Sequence, residues 1–277
     1  MSATLYVVGT PIGNLEDMSV RAVRTLQQVD FIAAEDTRVS LKLLNHFEIK
    51  KPMVSYHEHN AREVGPQIIR RLQNGESCAI VTDAGMPCIS DPGEDLVRLC
   101  AENGVDVLSI PGCCAAVNAL AVSGLPTGRF TFEGFLTVNK KSRRERLESL
   151  KNEERTIVFH EAPHKLRATL GDLRDTFGPD RKVALCRELT KLHEETRRTT
   201  LGEAADYYRD HDPKGEYVLV VAGCPPRETA ALTAEEAVEQ VLRLVDQGAR
   251  LKDAAREVAE HTGLSKNELY AAALDRR

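Results

Sequence analysis

The stretch from Thr82 to Gly93, TDAGMPCISDPG, constrains the fold of this chain more than any other. It follows the apolar run Cys78-Ala79-Ile80-Val81 and precedes a helical pattern over Glu94 to Glu102. A buried strand that breaks into a Gly/Pro-rich loop and then a helix is where an α/β sheet holds a ligand, at the carboxyl ends of its strands. Gly85 and Gly93 permit backbone angles that other residues avoid, and Pro87 and Pro92 stiffen the loop. Asp83 and Asp91 supply acceptors for hydroxyl, ammonium or ribose donors. The plainer reading is an ordinary strand-to-helix turn with Asp91 capping the helix.

The same cadence runs through the first 124 residues. Leu5-Tyr6-Val7-Val8 reads as a short buried strand, followed by the glycine loop Gly9-Thr10-Pro11-Ile12-Gly13-Asn14. That loop is not G-x-G-x-x-G and carries no G-K-S/T, so it is neither a dinucleotide fingerprint nor a P-loop. A helical pattern through Val20, Val23 and Leu26 leads to a strand at Phe31–Ala34, which ends in Glu35-Asp36-Thr37-Arg38. Charges at the mouth of a strand serve either function or capping and ion pairing. A weaker strand, Met53–Tyr56, runs into His57-Glu58-His59-Asn60, a polar loop facing the substrate. H-x-H with no further ligand cluster nearby does not make a metal site, and no metal is expected. After a helix through Ile68, Ile69 and Leu72 and the central loop, the strand Val105–Ile110 ends in Pro111-Gly112. The small residues Cys113, Cys114, Ala115 and Ala116 then open a helix whose first-turn amides a ligand can approach, or which packs closely on a sheet.

At 277 residues the chain is too long for one small domain and suits two α/β domains. Hydrophobic residues at 42% and charged residues at 29% describe a soluble globular protein. A net charge of -5 argues against a wholly basic surface yet permits a local basic patch. No apolar segment spans a bilayer and the first fifteen residues lack a signal pattern, so a cytoplasmic protein with no membrane partner is expected. The seven cysteines include no C-x-x-C spacing and read as reduced structural thiols.

Gly124-Leu125-Pro126-Thr127-Gly128 reads as a linker, after which strands restart at Phe130–Phe132, Thr156–His160, Val183–Cys186 and Tyr217–Val221. Pro225-Pro226 breaks the chain again. These punctuation marks give three domains: 1–124 and 125–226, both α/β, and a small helical domain over 233–277. In the second, Lys140-Lys141-Ser142-Arg143-Arg144-Glu145-Arg146 packs five cations into seven residues. Such a run is either a solvated helix face or a contact for phosphate backbones. Arg197-Arg198, after Arg187, Lys191 and His193, extends the same surface on that reading. From Thr233 the composition turns to Ala, Glu and Leu, with capping boxes at Thr233/Glu236 and Ser265/Glu268. Three short helices are predicted, about 233–247, 250–261 and 265–275, with the cadence of a helix-turn-helix.

Five motifs converge: LYVVGTPIGNLEDMS from Leu5, AEDTR from Ala34, TDAGMPCISDPG from Thr82, IPG from Ile110 and FHEAPHK from Phe159. Together they resemble the tetrapyrrole methylase superfamily, and more narrowly its ribosomal RNA small-subunit methyltransferase I branch. The resemblance covers Thr4 to Gly223, with the tail matching less distinctively. It implies S-adenosylmethionine as methyl donor, bound in a cleft between two α/β domains of a homodimer. It also implies transfer to the ribose 2′-hydroxyl of a cytidine in 16S ribosomal RNA, with the small ribosomal subunit as partner. By motif position the donor would contact Pro11, the Asp83-Ala84-Gly85 loop, Ile89, Cys114-Ala115 and Phe159-His160. Where relatives often carry Ser or Thr after Pro-Gly this chain has Cys114, so a hydroxyl contact there is in question while backbone contacts survive.

The residues are compatible with that chemistry. A sulfonium already activates its methyl group, so the enzyme mainly aligns donor and acceptor. A sugar hydroxyl is a poor nucleophile, and a positioned base contributes roughly 10²–10⁴-fold. Candidate bases by position are Glu35, Asp36 and His57, with Arg38 as a phosphate or orienting group. Lys140, Lys141, Arg143, Arg144 and Arg146, with the helical tail, would hold the RNA where its splayed regions expose the 2′-hydroxyl. Two rivals stand beside this: a C-methyltransferase acting on a tetrapyrrole or corrinoid precursor, and a non-catalytic RNA-binding assembly protein. Binding of a ribosomal subunit or of a tetrapyrrole separates the first, and titration with S-adenosylmethionine the second.

Overall fold

The computed structural model describes residues 4–225 and 233–276, in two compact units, Met1–Cys224 and Pro225–Arg277. The first unit holds two five-stranded sheets.

The first sheet is wholly parallel, in the order β3 (Met53–Ser55), β2 (Phe31–Ala34), β4 (Cys78–Val81), β1 (Thr4–Val8), β5 (Asp106–Ile110). Strands β2 and β4 are buried at every position because helices cover both faces, as continuous apolar runs in a parallel sheet require. Alternation divides their side chains between two cores. Phe31, Ala33, Cys78 and Ile80 meet α3 (Ala61–Gln73) and α4 (Glu94–Glu102) through Ile68, Leu72 and Leu96. Ile32, Ala34, Ala79 and Val81 meet α1 (Val20–Gln28) and α2 (Thr37–His46) through Leu26 and Leu44. Helix α2 is absent from the sequence reading, yet Asp36 marks its start: the Asp36 carboxylate accepts from the Arg38 amide at 2.8 Å as N-cap.

Helix α5 (Ala115–Val122) leaves the first sheet and packs through Ala116, Ala119 and Leu120 on Val158, Ala184, Val218 and Val220 of the second. The second sheet is mixed, in the order β6 (Phe130–Phe135), β7 (Thr156–Glu161), β10 (Tyr217–Val221), β8 (Lys182–Arg187), β9 (Glu195–Thr200). Only the β6–β7 pair is parallel. On its other face α6 (Lys140–Leu150), α7 (Pro163–Phe177) and α8 (Leu201–Asp210) bury Leu147, Leu150, Leu166, Leu170 and Leu201 against Phe159, Leu185 and Leu219. Strand β9 and helix α8 also escape the sequence reading. The former is polar throughout, but the latter opens on a full capping box, Thr200 with Glu203, that the sequence displays.

The second unit comprises α9 (Ala234–Asp246), α10 (Leu251–Thr262) and α11 (Lys266–Asp275) around its own core of Val238, Val241, Ala254, Val258 and Leu269. All three helices fall where the pattern predicts. Thr233 and Glu236 cap each other reciprocally, whereas Ser265 accepts from the Glu268 amide at 3.5 Å without the return bond from Glu268, so only half of that expected box forms. Gly263 ends α10 with φ 72°, a left-handed angle suited to glycine. The break expected at Pro225-Pro226 lies partly outside the described residues. No helix among the described residues is long and apolar enough to cross a membrane.

Candidate active site

Strands β4, β1 and β5 are neighbours, so the loops leaving their carboxyl ends are brought side by side. They are fastened to one another. The Thr10 amide donates to the Gly85 carbonyl at 2.9 Å and the Gly85 amide returns a bond to the Thr10 carbonyl at 3.2 Å. The Thr10 hydroxyl donates to the Thr82 carbonyl at 3.1 Å. Gly85 takes φ 92°, which lets its backbone turn back to Thr10. The loop after β5 is held as closely: a Cβ built on Gly9 would lie 2.6 Å from the Gly112 Cα. Asp91 does not cap the following helix; Gly93 is the N-cap of α4 and brings no side chain to it, and the first-turn Leu96 amide donates instead to Asp95 at 2.9 Å.

These loops form one wall of an open cleft whose empty space, mouth included, is about 910 Å³. Ile12, Ala84, Ile89, Ser90, Asp91 and Ala115 line that wall, and the second sheet supplies Phe135, His160 and Glu161 opposite. Of the expected donor contacts, Ala84, Ile89, Ala115 and His160 meet in this cleft. Pro11, Gly85 and Cys114 stand beside lining residues in the chain, and their contribution would come from backbone. Asp83 turns elsewhere: its Oδ1 accepts from the Asp36 amide at 3.2 Å. Phe159 is fully buried in the core on the far face of β7, because adjacent strand residues point to opposite sides and His160 takes the cleft side.

Sequence reading missed the far end of the cleft, Glu188, Leu189, Lys191 and Glu216 to Val218. The Lys191 ammonium bridges Glu188 at 2.8 Å and Glu216 at 2.9 Å, closing that end with a charged clasp. The available signal was position: Glu188 follows the carboxyl end of β8, the kind of strand end that drew attention in the first sheet, while Glu216 precedes the amino end of the antiparallel neighbour β10.

Glu35, His57, Ser90 and Asp91 line a second hollow, with Glu58, His59, Glu94 and Asp95. Ser90 and Asp91 thus stand in both hollows. Burial pushes the Asp91 carboxyl up to about 7, and the nearby Glu35 and Asp83 charges add to the shift. Burial likewise raises Glu35, whose Oε2 accepts from the Asp83 amide at 3.4 Å, and Asp83 itself. Asp36 behaves oppositely: the Arg38 guanidinium, bonded to its two oxygens at 3.0 and 2.6 Å, holds it far below the usual carboxylate range. The Nδ1 of His57 is buried with no partner, as is Nε2 of His160, whose proton affinity burial lowers. The His57 and His59 rings stand 6.0 Å apart, and no group of three potential ligands among the described residues is placed to hold a metal ion.

The basic run forms the first two turns of α6, but its cations differ in what they do. Arg143 is turned inward, donating to Asp172 at 2.6 Å and Thr169 at 2.8 Å with its side chain 12% exposed. Arg146 pairs with Glu133 at 2.6 Å. Lys140, Lys141 and Arg144 stay exposed. Farther along, Arg197 lies 3.7 Å from the Tyr207 ring centroid and bonds Glu195, while Arg198 donates to the Val122 and Ser123 carbonyls. Arg198 thus ties the second sheet to the end of α5 and Arg197 ties β9 to α8, so neither extends a free cationic face.

Residues 4–205 match the family model described as Tetrapyrrole (Corrin/Porphyrin) Methylases, and residues 230–277 match the RsmI C-terminal HTH domain. A protein of Synechocystis sp. named "Ribosomal RNA small subunit methyltransferase I" is 47% identical over 98% of this chain and 97% of its own. One of the same name from Pseudomonas aeruginosa is 48% identical over 100% of this chain and 99% of its own. The chain belongs to the ribosomal RNA small subunit methyltransferase I family. Solved structures share the fold of this family's two sheets at much lower identity. A diphthine synthase superposes with a TM-score of 0.60 at 14% identity, covering 79% of this chain and 89% of its own. Uroporphyrin-III-C-methyltransferase from Thermus thermophilus does so with 0.55 at 20%, covering 79% and 94%.

The cleft in this ribosomal RNA small subunit methyltransferase I relative suits the donor that the family's chemistry requires. Such a donor carries a sulfonium, an ammonium, a carboxylate and a ribose diol. Asp91 offers an acceptor, the uncapped first turn of α5 offers amides, and the unpartnered His160 Nε2 offers a further polar atom. The Glu161 carboxylate is instead turned to the far face, where it accepts from the Thr169 hydroxyl and the Ala162 amide.

Proposed function

We propose that this protein is a cytoplasmic, homodimeric enzyme that methylates the 2′-hydroxyl of a cytidine ribose in 16S ribosomal RNA of the small subunit, using S-adenosylmethionine. The observation that carries the reading is a likeness over nearly the whole chain to proteins named as ribosomal RNA small subunit methyltransferases, in a chain whose strand-end loops are bonded together around one cleft. When bound, the donor supplies a methyl group already activated by a sulfonium. The backbone of Pro11, Ala84, Gly85, Cys114 and Ala115, with the side chains of Ile89 and His160, would hold it. Fastening Thr10 to Gly85 fixes these loops before binding, so little ordering remains to oppose it.

The protein's remaining task is to position the hydroxyl and receive its proton. Among the three candidate bases, Asp36 is tied to Arg38 and too acidic for the role. Glu35 and His57 line the hollow that meets the cleft at Asp91, and burial raises the proton affinity of Glu35 and Asp91 towards the useful range. Lys140, Lys141, Arg144 and the three-helix unit would contact the RNA backbone, and Arg38, exposed beside the hollow, would orient a phosphate. The exposed edge strand β5 with Leu108, Val117 and Val122 supports pairing of two copies. Incubating the protein and donor with small subunits lacking the modification, then digesting to nucleosides, should yield 2′-O-methylcytidine by mass spectrometry. Absence of that product, with donor binding intact by calorimetry, would refute the acceptor assignment.

A further inference from the structure

Among the described residues, Phe135 is the one large apolar side chain that both lines the cleft from the second sheet and stands mostly in the open, at 57% exposed. Aromatic residues make up only 5% of the chain, and it has no tryptophan. A single exposed apolar side chain is ordinary, as Leu192 and Val138 are here, so the case for Phe135 rests on how it is held and on what stands beside it.

Its position is built rather than incidental. Pairing of β6 with β7 shifts between Phe132 and Gly134, a bulge that redirects the strand's last residues. Gly134 takes φ 60°, and a Cβ there would lie 2.9 Å from the Ser90 hydroxyl oxygen, so the bulge is pressed against the central loop. The rings of Phe132 and Phe135 both meet His160 edge to face, at 5.1 and 5.4 Å between centroids. Phe135 is thus buttressed by His160 while most of its surface faces solvent. Five residues later α6 begins, carrying the exposed Lys140, Lys141 and Arg144. An aromatic platform beside cations is the arrangement that binds single-stranded nucleic acid, by stacking bases and tracking phosphates.

We propose that Phe135 is the stacking platform for the base of the acceptor nucleotide, or of its immediate neighbour, at the mouth of the donor cleft. The inference rests on the RNA-directed activity proposed above and adds the residue that seats the base. A flat heteroaromatic ring could also come from the donor's adenine. The exposure at the mouth and the direct continuation into a basic helix favour the RNA.

The test uses full-length protein with Phe135→Leu, which keeps apolar bulk and removes the π face, and Phe135→Tyr, which restores it. Three quantities are read: donor affinity by calorimetry, KM for unmodified small subunits, and quenching of 2-aminopurine placed in a short single-stranded RNA. Loss of one stacked base weakens RNA binding on the order of 5- to 100-fold. The Leu variant should show that rise in KM and lose the quenching while donor affinity stays within about twofold, and the Tyr variant should recover both. Unchanged KM and quenching in Phe135→Leu overturn the proposal, as does a loss confined to donor affinity, which would assign the ring to the adenine. A wild-type protein that binds donor yet methylates no RNA overturns the activity itself, an outcome visible before any variant is made.

Discussion

Gly9 and Gly112 touch backbone to backbone: a Cβ on Gly112 would lie 2.7 Å from the Gly9 Cα, and one on Gly9 would lie 2.6 Å from the Gly112 Cα. Neither has a side chain to yield, so the loops after β1 and β5 depend on both being glycine. Gly112→Ala should cost about 1–3 kcal/mol as an overpacked contact and reduce donor affinity, because α5 begins three residues on. Gly171, within α7, has no atom within 4 Å of its built Cβ, and Gly171→Ala should gain up to about 1 kcal/mol from helix propensity. Urea unfolding of both variants checks the contrast. Equal effects would show that the approach is slack.

Asp91 provides a pH signature. Its folded value, pushed up to about 7 from an ordinary 3.8, lies above its unfolded value, so the folded state holds the proton more tightly. Its contribution is fully favourable below about pH 4 and is lost as pH rises through about 7. Asp91→Asn should therefore raise the melting temperature relative to wild type at pH 8.5 but not at pH 4.5. A difference that does not change with pH would mean the carboxyl ionises normally.

Two arginines and a lysine of one basic run should separate cleanly. Arg143→Ala removes charge-assisted bonds to Asp172 and Thr169 and should destabilise by roughly 1–3 kcal/mol. Lys141→Ala with Arg144→Ala should leave the melting temperature unchanged. That double variant should lower the slope of log affinity for RNA against log salt by about 1–2, since each lost phosphate contact returns counterions. A salt slope identical to wild type would remove these two cations from the interface.

Asp83→Ala should lower the methylation rate at least about tenfold, a loss expected of a positioned polar group in an active site. The carboxylate holds the Asp36 amide and so ties the β4 loop to the strand end carrying Glu35. Donor affinity should fall less than the rate, because the side chain does not line the donor cleft. Full activity in this variant would sever the acid cluster from catalysis.

Much of the fold was readable from residue order. Apolar runs at Phe31–Ala34 and Cys78–Val81 became buried central strands, and Thr233 capped the helix it announced. Elements without a strong period were lost: β9 is polar because it is an edge strand, and α2 hid behind the charges at Glu35–Arg38 that also cap it. At the site, the motif loops were visible as strand ends, but the side each residue faces was not. Phe159 and His160 are neighbours in one motif and lie on opposite faces of one strand.

The sequence by itself determined where the strand-end loops would fall, since glycine and proline placement after apolar runs is a local property. Only tertiary structure decided which charges are free. Whether Arg143 meets solvent or Asp172, and whether Asp91 stands beside Glu35, depends on elements 29 and 56 residues away. The energy of a charge is set by what surrounds it, and the chain's order does not list its surroundings.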